Sequence, residues 1–178
     1  MARLHGEQVA IVVMGVAGSG KSTLAAALAE RLGAVFIEAD HLHSPDARAR
    51  MASGVPLTDD DRRPWLARVA ASITDADAAG HAVVVACSAL RRSYRDALRR
   101  DSGTDLAFVH LHGSEARLAE RIGQRAGHFM PATMLASQLA TLECLEADEG
   151  GHVVSIELPI GEAADLAVTL ISRSWTNE

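Results

Sequence analysis

Several things are scarce in this chain of 178 residues, and each scarcity narrows its function. Positive charge is in deficit. The net charge of −6 argues against a general nucleic-acid binder, which would carry a basic face or stripe. Cysteine is limited to Cys87 and Cys144, far apart and with no Cys-x-x-Cys spacing, so both are expected as buried or partly buried thiols of a reducing compartment. No apolar run approaches the ~20 residues of a membrane span. Met1 to Gln8 lacks the apolar core of a signal peptide, so the expected location is the cytoplasm. Repeats, linkers and low-complexity stretches are also missing. What remains, at 48% apolar and 22% charged residues, reads as one soluble globular domain over residues 1–178.

The stretch that organises the rest is Gly15-Val16-Ala17-Gly18-Ser19-Gly20-Lys21-Ser22. It follows the apolar run Val9 to Met14 and leads into Leu24, Ala27, Leu28 and Leu32 at helical spacing. Gly, four residues, then Gly-Lys-Ser between a strand and a helix is the phosphate-binding P-loop pattern. Its glycines permit positive φ and leave no Cβ between the main chain and an anion. Successive N–H groups, Gly15 through Thr23, can then converge on phosphate oxygens at the positive end of the helix. Lys21 is expected to reach the β- and γ-phosphates of ATP, and the Ser22 hydroxyl to ligate Mg²⁺.

Downstream, strands alternate with helices. Strands are read at Ala34–Ile37, His81–Cys87, Leu106–His112 and Val153–Ile156. Ser44-Pro45 opens a helix closed by Gly54. Thr58 with Asp61 forms a capping-box pattern, but Pro64 fits poorly inside a helix, so a short turn and a helix starting near Pro64 are expected. Ser88 is read as the cap of the next helix, Ser114 with Arg117, Leu118, Arg121, Ile122 and Arg125 as a further helix, and Met134 to Leu142 as another. Such alternation implies right-handed crossovers and a mainly parallel five-stranded α/β sheet with helices on both faces.

Asp40 falls at the C-terminal edge of the second strand, where open α/β sheets bind ligands. The guanine-reading Asn-Lys-x-Asp segment of GTPases is missing, and Cys87 stands where many P-loop proteins carry a metal-binding Asp. The metal shell is then left to Ser22, phosphates and water, with Asp40 nearby. Arg117, Arg121 and Arg125 share one helical face ahead of a Gly-flanked segment, which reads as a lid over about 121–131 closing on the transferring phosphoryl group. Arg91, Arg92 and Arg95, just past the third strand, are either a wet helix face or a holder for an anionic acceptor.

Taken together, Asp40-His41-Leu42-His43, Met51-Ala52-Ser53-Gly54, Pro56 to Arg62 with Pro64-Trp65-Leu66, Cys87-Ser88-Ala89-Leu90, Tyr94-Arg95-Asp96, Gly127-His128-Phe129, and Ser137-Gln138 with Leu142-Glu143 make the chain resemble the small P-loop gluconokinases along nearly its whole length. Cys144 and Leu139 stand where that family often has Pro and Phe. The resemblance implies a nucleoside-monophosphate-kinase type of fold with a mobile lid, a homodimer, and transfer of the ATP γ-phosphate to the C6 hydroxyl of D-gluconate. Lys21, Asp40, Arg121 and Arg125 are then the catalytic set. Asp40, His43, Arg62, Ser88, Arg91 and His128 form the acceptor set. The alternatives are a shikimate-like or nucleotide kinase of the same fold, and a nucleotide-binding regulator without catalysis.

Overall fold

In the computed structural model the described residues are 3–4, 7–124 and 132–174, with side-chain environments from 9 to 124 and from 134 onward. Five strands form one sheet: β1 (Ala10–Met14), β2 (Val35–Glu38), β3 (Val83–Ala86), β4 (Ala107–His112) and β5 (Gly151–Ser155). Their spatial order is β2-β3-β1-β4-β5, and every pairing is parallel. The chain thus builds first to one side of β1 and then to the other. The loop after β1 lies at this reversal, where α/β sheets open a ligand crevice.

Alternation along the strands divides the core in two. Ile11, Val13 and Val84 face α1 (Lys21–Leu32) and α7 (Ile160–Ser174), packing on Leu24, Leu28, Ala167 and Ile171. Val12, Met14 and Val85 face α3 (Asp59–Ala78) and α4 (Arg92–Ser102), packing on Trp65, Val69, Ile73 and Leu98. β1 is completely buried, as expected of the centre of a parallel sheet covered on both faces. The remaining helices are α2 (Pro45–Ala52), α5 (Glu115–Gly123) and α6 (Ala132–Thr141).

Three helix caps form, those at Ser44 and Thr58 at the expected positions. Ser44 accepts from the Ala47 N–H with Pro45 in the first turn, Ser114 accepts from the Arg117 N–H, and Thr58 and Asp61 make a reciprocal capping box. Two expectations fail. α3 runs unbroken through Pro64 instead of starting near it. The ring removes one backbone donor. The capping box, three first-turn acids and the burial of Trp65, Leu66, Val69, Ala70 and Ile73 outweigh that loss. Ser88 does not cap α4, whose N-cap is Arg91 with no side-chain bond. Ser88-Ala89-Leu90 is a loop instead, with Ala89 at φ +42°, and tertiary contacts hold it. The second strand is also shifted by one residue, so Asp40 lies in a 3₁₀ turn (Ala39–Leu42) just past β2.

Candidate active site

The loop from Gly15 to Gly20 is shaped by close approach. Gly15 has φ +143°, and a Cβ there would come within 2.8 Å of the Leu111 carbonyl oxygen. At Gly18, φ +78°, a Cβ would meet Ile122 at 2.7 Å. Neither position accommodates a side chain. Gly20 is the left-handed N-cap of α1, which opens with Lys21, Ser22 and Thr23. The Lys21 ammonium donates to the Val16 carbonyl at 3.1 Å, folding back over the first half of the loop. The Ser19 hydroxyl is buried with no partner among the described residues, a polar atom placed for an anion. Beside the loop lies a cleft of about 370 Å³ lined by Gly18, Gly20, Thr23, Arg121, Ser155 and Ile156. Arg121 donates to the Ser19 carbonyl at 3.5 Å and also to the Ile156 carbonyl, so its guanidinium joins the loop to the end of β5.

On the far side of the loop, two α3 side chains clamp the Asp40 turn. The Trp65 indole N–H donates to the Ala39 carbonyl at 2.7 Å, and Arg68 to the Leu42 carbonyl at 2.7 Å. Asp40 itself is exposed. His43 is buried and stacked on Trp65, centroids 4.3 Å apart. Burial holds its pKa below the usual histidine value despite the opposing field of Asp40, and its Nδ1 has no partner among the described residues. A second cluster joins α3 to α4. Arg91 pairs with Asp59 at 2.7 Å, Arg62 lies 3.8 Å from the same carboxylate, and the Tyr94 hydroxyl donates to it. The Tyr94 hydrogen bond, with Arg91 and Arg62 close by, keeps Asp59 below its ordinary pKa. With one carboxylate between two guanidiniums, the cluster keeps a net positive charge.

The two sides meet where the Gly15 N–H donates to the Ser88 carbonyl at 3.3 Å. Cys87, just before it, is wholly buried, and burial pushes its thiol up to about 12, so it stays protonated. Glu38 ends β2, Asp40 lies in the turn just past it and Lys21 opens α1 after β1, so all three stand at the C-terminal ends of strands. No group of three His, Cys, Asp or Glu gathers among the described residues. A phosphate-bound Mg²⁺ needs only one or two protein oxygens, and the exposed Ser22 hydroxyl in the first turn of α1 fits that role.

A family model described as an AAA domain matches residues 11–145. A gluconokinase from Gluconobacter oxydans is 52% identical over 139 residues, covering 78% of each chain. The thermoresistant gluconokinase of Escherichia coli is 37% identical and covers 91% of this chain and 93% of its own. The solved structure of a gluconokinase from Sinorhizobium meliloti superimposes with a TM-score of 0.86 at 47% identity, covering 95% and 94% of the two chains. The chain belongs to the gluconokinase family. Its P-loop kinase fold, with a five-stranded all-parallel sheet, agrees with that membership.

Within this gluconokinase-family framework, the structure brings Lys21, Ser22, Thr23 and Arg121 to the loop, and Asp40, His43, Arg62, Ser88 and Arg91 to the strand ends opposite. Arg125, His128 and most of the 121–131 segment lie outside the described residues. Arg92 leaves the expected acceptor group, because Glu146 and Asp148 hold it through short ion pairs. Arg117 turns to Glu120 and Glu157. Cys144 is exposed instead of buried, because it follows the end of α6 on the surface.

Arg95 is the largest surprise: it is fully buried and paired with the equally buried Glu149. It also donates to the carbonyls of Ala89 and Glu143, both at 3.1 Å, so it fixes the Ser88–Leu90 loop from behind. Its position one turn before Leu98 was the sequence signal that it faces inward.

Proposed function

We propose that this protein catalyses transfer of the γ-phosphate of ATP to the C6 hydroxyl of D-gluconate, giving 6-phospho-D-gluconate and ADP. The observation that carries the reading is a complete P-loop, with Lys21 at its mouth, facing the clamped Asp40 turn and the Arg62–Arg91 cluster across the ends of β1 to β3. The family's gluconokinase members support the same acceptor.

In this reading the triphosphate lies along the loop from Gly15 to Thr23, on N–H groups other than those of Gly15 and Ala17, which donate to Ser88 and Gln138. The Lys21 ammonium leaves the Val16 carbonyl for the β- and γ-phosphates, where charge shifts during transfer. Mg²⁺ on the Ser22 hydroxyl, phosphates and water supplies charge neutralisation when bound. Asp40 accepts a hydrogen bond from the attacking hydroxyl and orients it. Phosphoryl transfer has a loose transition state, so this positioning matters more than early deprotonation. Arg62 and Arg91 receive the gluconate carboxylate, and His43 and Ser88 its hydroxyls. Neutral His43 can offer one nitrogen as acceptor and one as donor. Arg121 and Arg125 close over the transferring phosphate as part of a lid over 121–131, and His128 binds the acceptor.

One domain, a homodimer and a cytoplasmic location belong to the same reading. No helix among the described residues is long and apolar enough to cross a membrane. An ADP-release assay against gluconate, glucose, shikimate and nucleoside monophosphates tests the reaction. Gluconate should be phosphorylated, and glucose, which lacks the carboxylate, should not. Turnover of shikimate or a nucleotide in preference to gluconate would replace the reading. Sedimentation at micromolar concentration tests the dimer.

A further inference from the structure

One contact at the loop has no part in the scheme above. The Ala17 N–H, in the first half of the P-loop, donates to the carboxamide oxygen of Gln138 at 2.7 Å across 121 residues of sequence. A backbone N–H can only donate, so the atom facing it is the oxygen, and the carboxamide nitrogen points the other way with two N–H bonds.

The location of this nitrogen follows from three anchors. Lys21 folds over Val16, next to Ala17, so this half of the loop is the γ-phosphate end. The Gly15 N–H bonds the Ser88 carbonyl, so the same end abuts the acceptor-side loop. Gln138 stands on the last turns of α6, and the chain beyond is fixed where the Glu143 N–H donates to the Leu90 carbonyl at 2.7 Å. The Leu142 side chain packs against both halves of the core. Gln138 therefore projects from a firmly held helix end into the junction of donor loop and acceptor loop.

We propose that Gln138 is a further catalytic residue: its carboxamide takes up the Ala17 N–H and presents its own N–H pair to the transferring phosphoryl group. The side chain acts as a relay. It substitutes two movable donors for one backbone donor at the point where negative charge passes from leaving oxygen to acceptor. A preorganised donor at such a point is worth on the order of 10²-fold or more in rate. The proposal rests on the kinase reading but not on the identity of the acceptor, because the transferring phosphoryl is the same for any acceptor.

Two variants separate this role from a structural one. Gln138→Glu keeps an oxygen for the Ala17 N–H but replaces the donors with a carboxylate aimed at the phosphates. Gln138→Met keeps length and removes every hydrogen bond. Both are compared with the wild-type protein in steady-state kinetics, on whichever acceptor the wild type uses, alongside thermal melts. The expected result is that both melt near the wild type. Gln138→Met should lose ~10–100-fold in kcat with little change in the acceptor KM, and Gln138→Glu should lose more. If Gln138 only braces the loop, Gln138→Glu would retain kcat within about two-fold, and that result overturns the proposal. A Gln138→Met protein with unchanged kcat and a lowered KM for ATP would also overturn it, by making the side chain a plug that ATP displaces. Failure of the wild type to use gluconate bears on the acceptor alone.

Discussion

Glu149→Gln tests whether a buried ion pair holds the acceptor-side loop. Glu149 and Arg95 are 1% and 0% exposed. The carboxylate accepts from Arg95 Nε at 2.5 Å and Nη2 at 2.8 Å, and from the Glu146 N–H at 2.9 Å. The Arg95 hydrogen bonds come first among the causes that hold its pKa below the ordinary glutamate value. The amide of glutamine keeps one acceptor but turns its NH₂ toward a guanidinium that can only donate. The change leaves a buried cation unpaired, which costs about 3–5 kcal/mol. For a chain of this length that is a fall in Tm of roughly 6–20 °C. Replacing both partners, Arg95→Met with Glu149→Leu, removes the stranded charge and should recover much of the stability. It also frees the Ala89 and Glu143 carbonyls, so kcat should stay depressed. Urea melts of the single and double variants, read beside steady-state kinetics, check both halves. A single variant within about 1 kcal/mol of wild type would refute the pair as a brace.

Other predictions follow from the same geometry. Lys21 is the chain's only lysine, and Lys21→Ala should fold normally, because its ammonium bonds a P-loop carbonyl, yet lose at least ~100-fold in kcat in the ADP-release assay. Asp40→Asn, assayed at saturating Mg²⁺, should lower kcat strongly with a modest change in gluconate KM; a normal kcat with a much higher KM would make Asp40 a binding residue only. Burial lowers His110 to about 4, and its Nδ1 is unpartnered among the described residues. The unfolded chain takes up that proton below about pH 6.5 and the folded chain only near 4, so stability should fall across this window as the pH drops. His110→Leu should remove about 3 kcal/mol of that fall in pH-dependent urea melts, leaving the smaller slope due to His43.

The features legible in the sequence are those decided locally. The P-loop, the caps at Ser44 and Thr58, and the strand–helix alternation depend on neighbours within a few residues; both caps form as read, and the strands keep their order with ends shifted by a residue or two. Pro64 misled because a local rule met a longer buried face. Ser88 misled because Gly15 and Arg95, far away in sequence, set the path of the chain there. Arg92 and Arg95 looked alike as parts of a basic stretch. Only the placement of Glu146, Asp148 and Glu149 in space separates a surface pair from a buried one. The Gln138–Ala17 contact joins opposite ends of the chain, and no periodicity announces it.

The site should transfer a phosphoryl group to the primary hydroxyl of gluconate. Proton-coupled ³¹P NMR of the product formed from ATP and D-gluconate tests it most directly. A phosphomonoester resonance split by the two protons of C6 should appear in step with ADP and be abolished in Lys21→Ala. A resonance split by a single proton would place the phosphate on a secondary hydroxyl, and inorganic phosphate alone would mean hydrolysis. Either outcome would rule out transfer to the C6 hydroxyl.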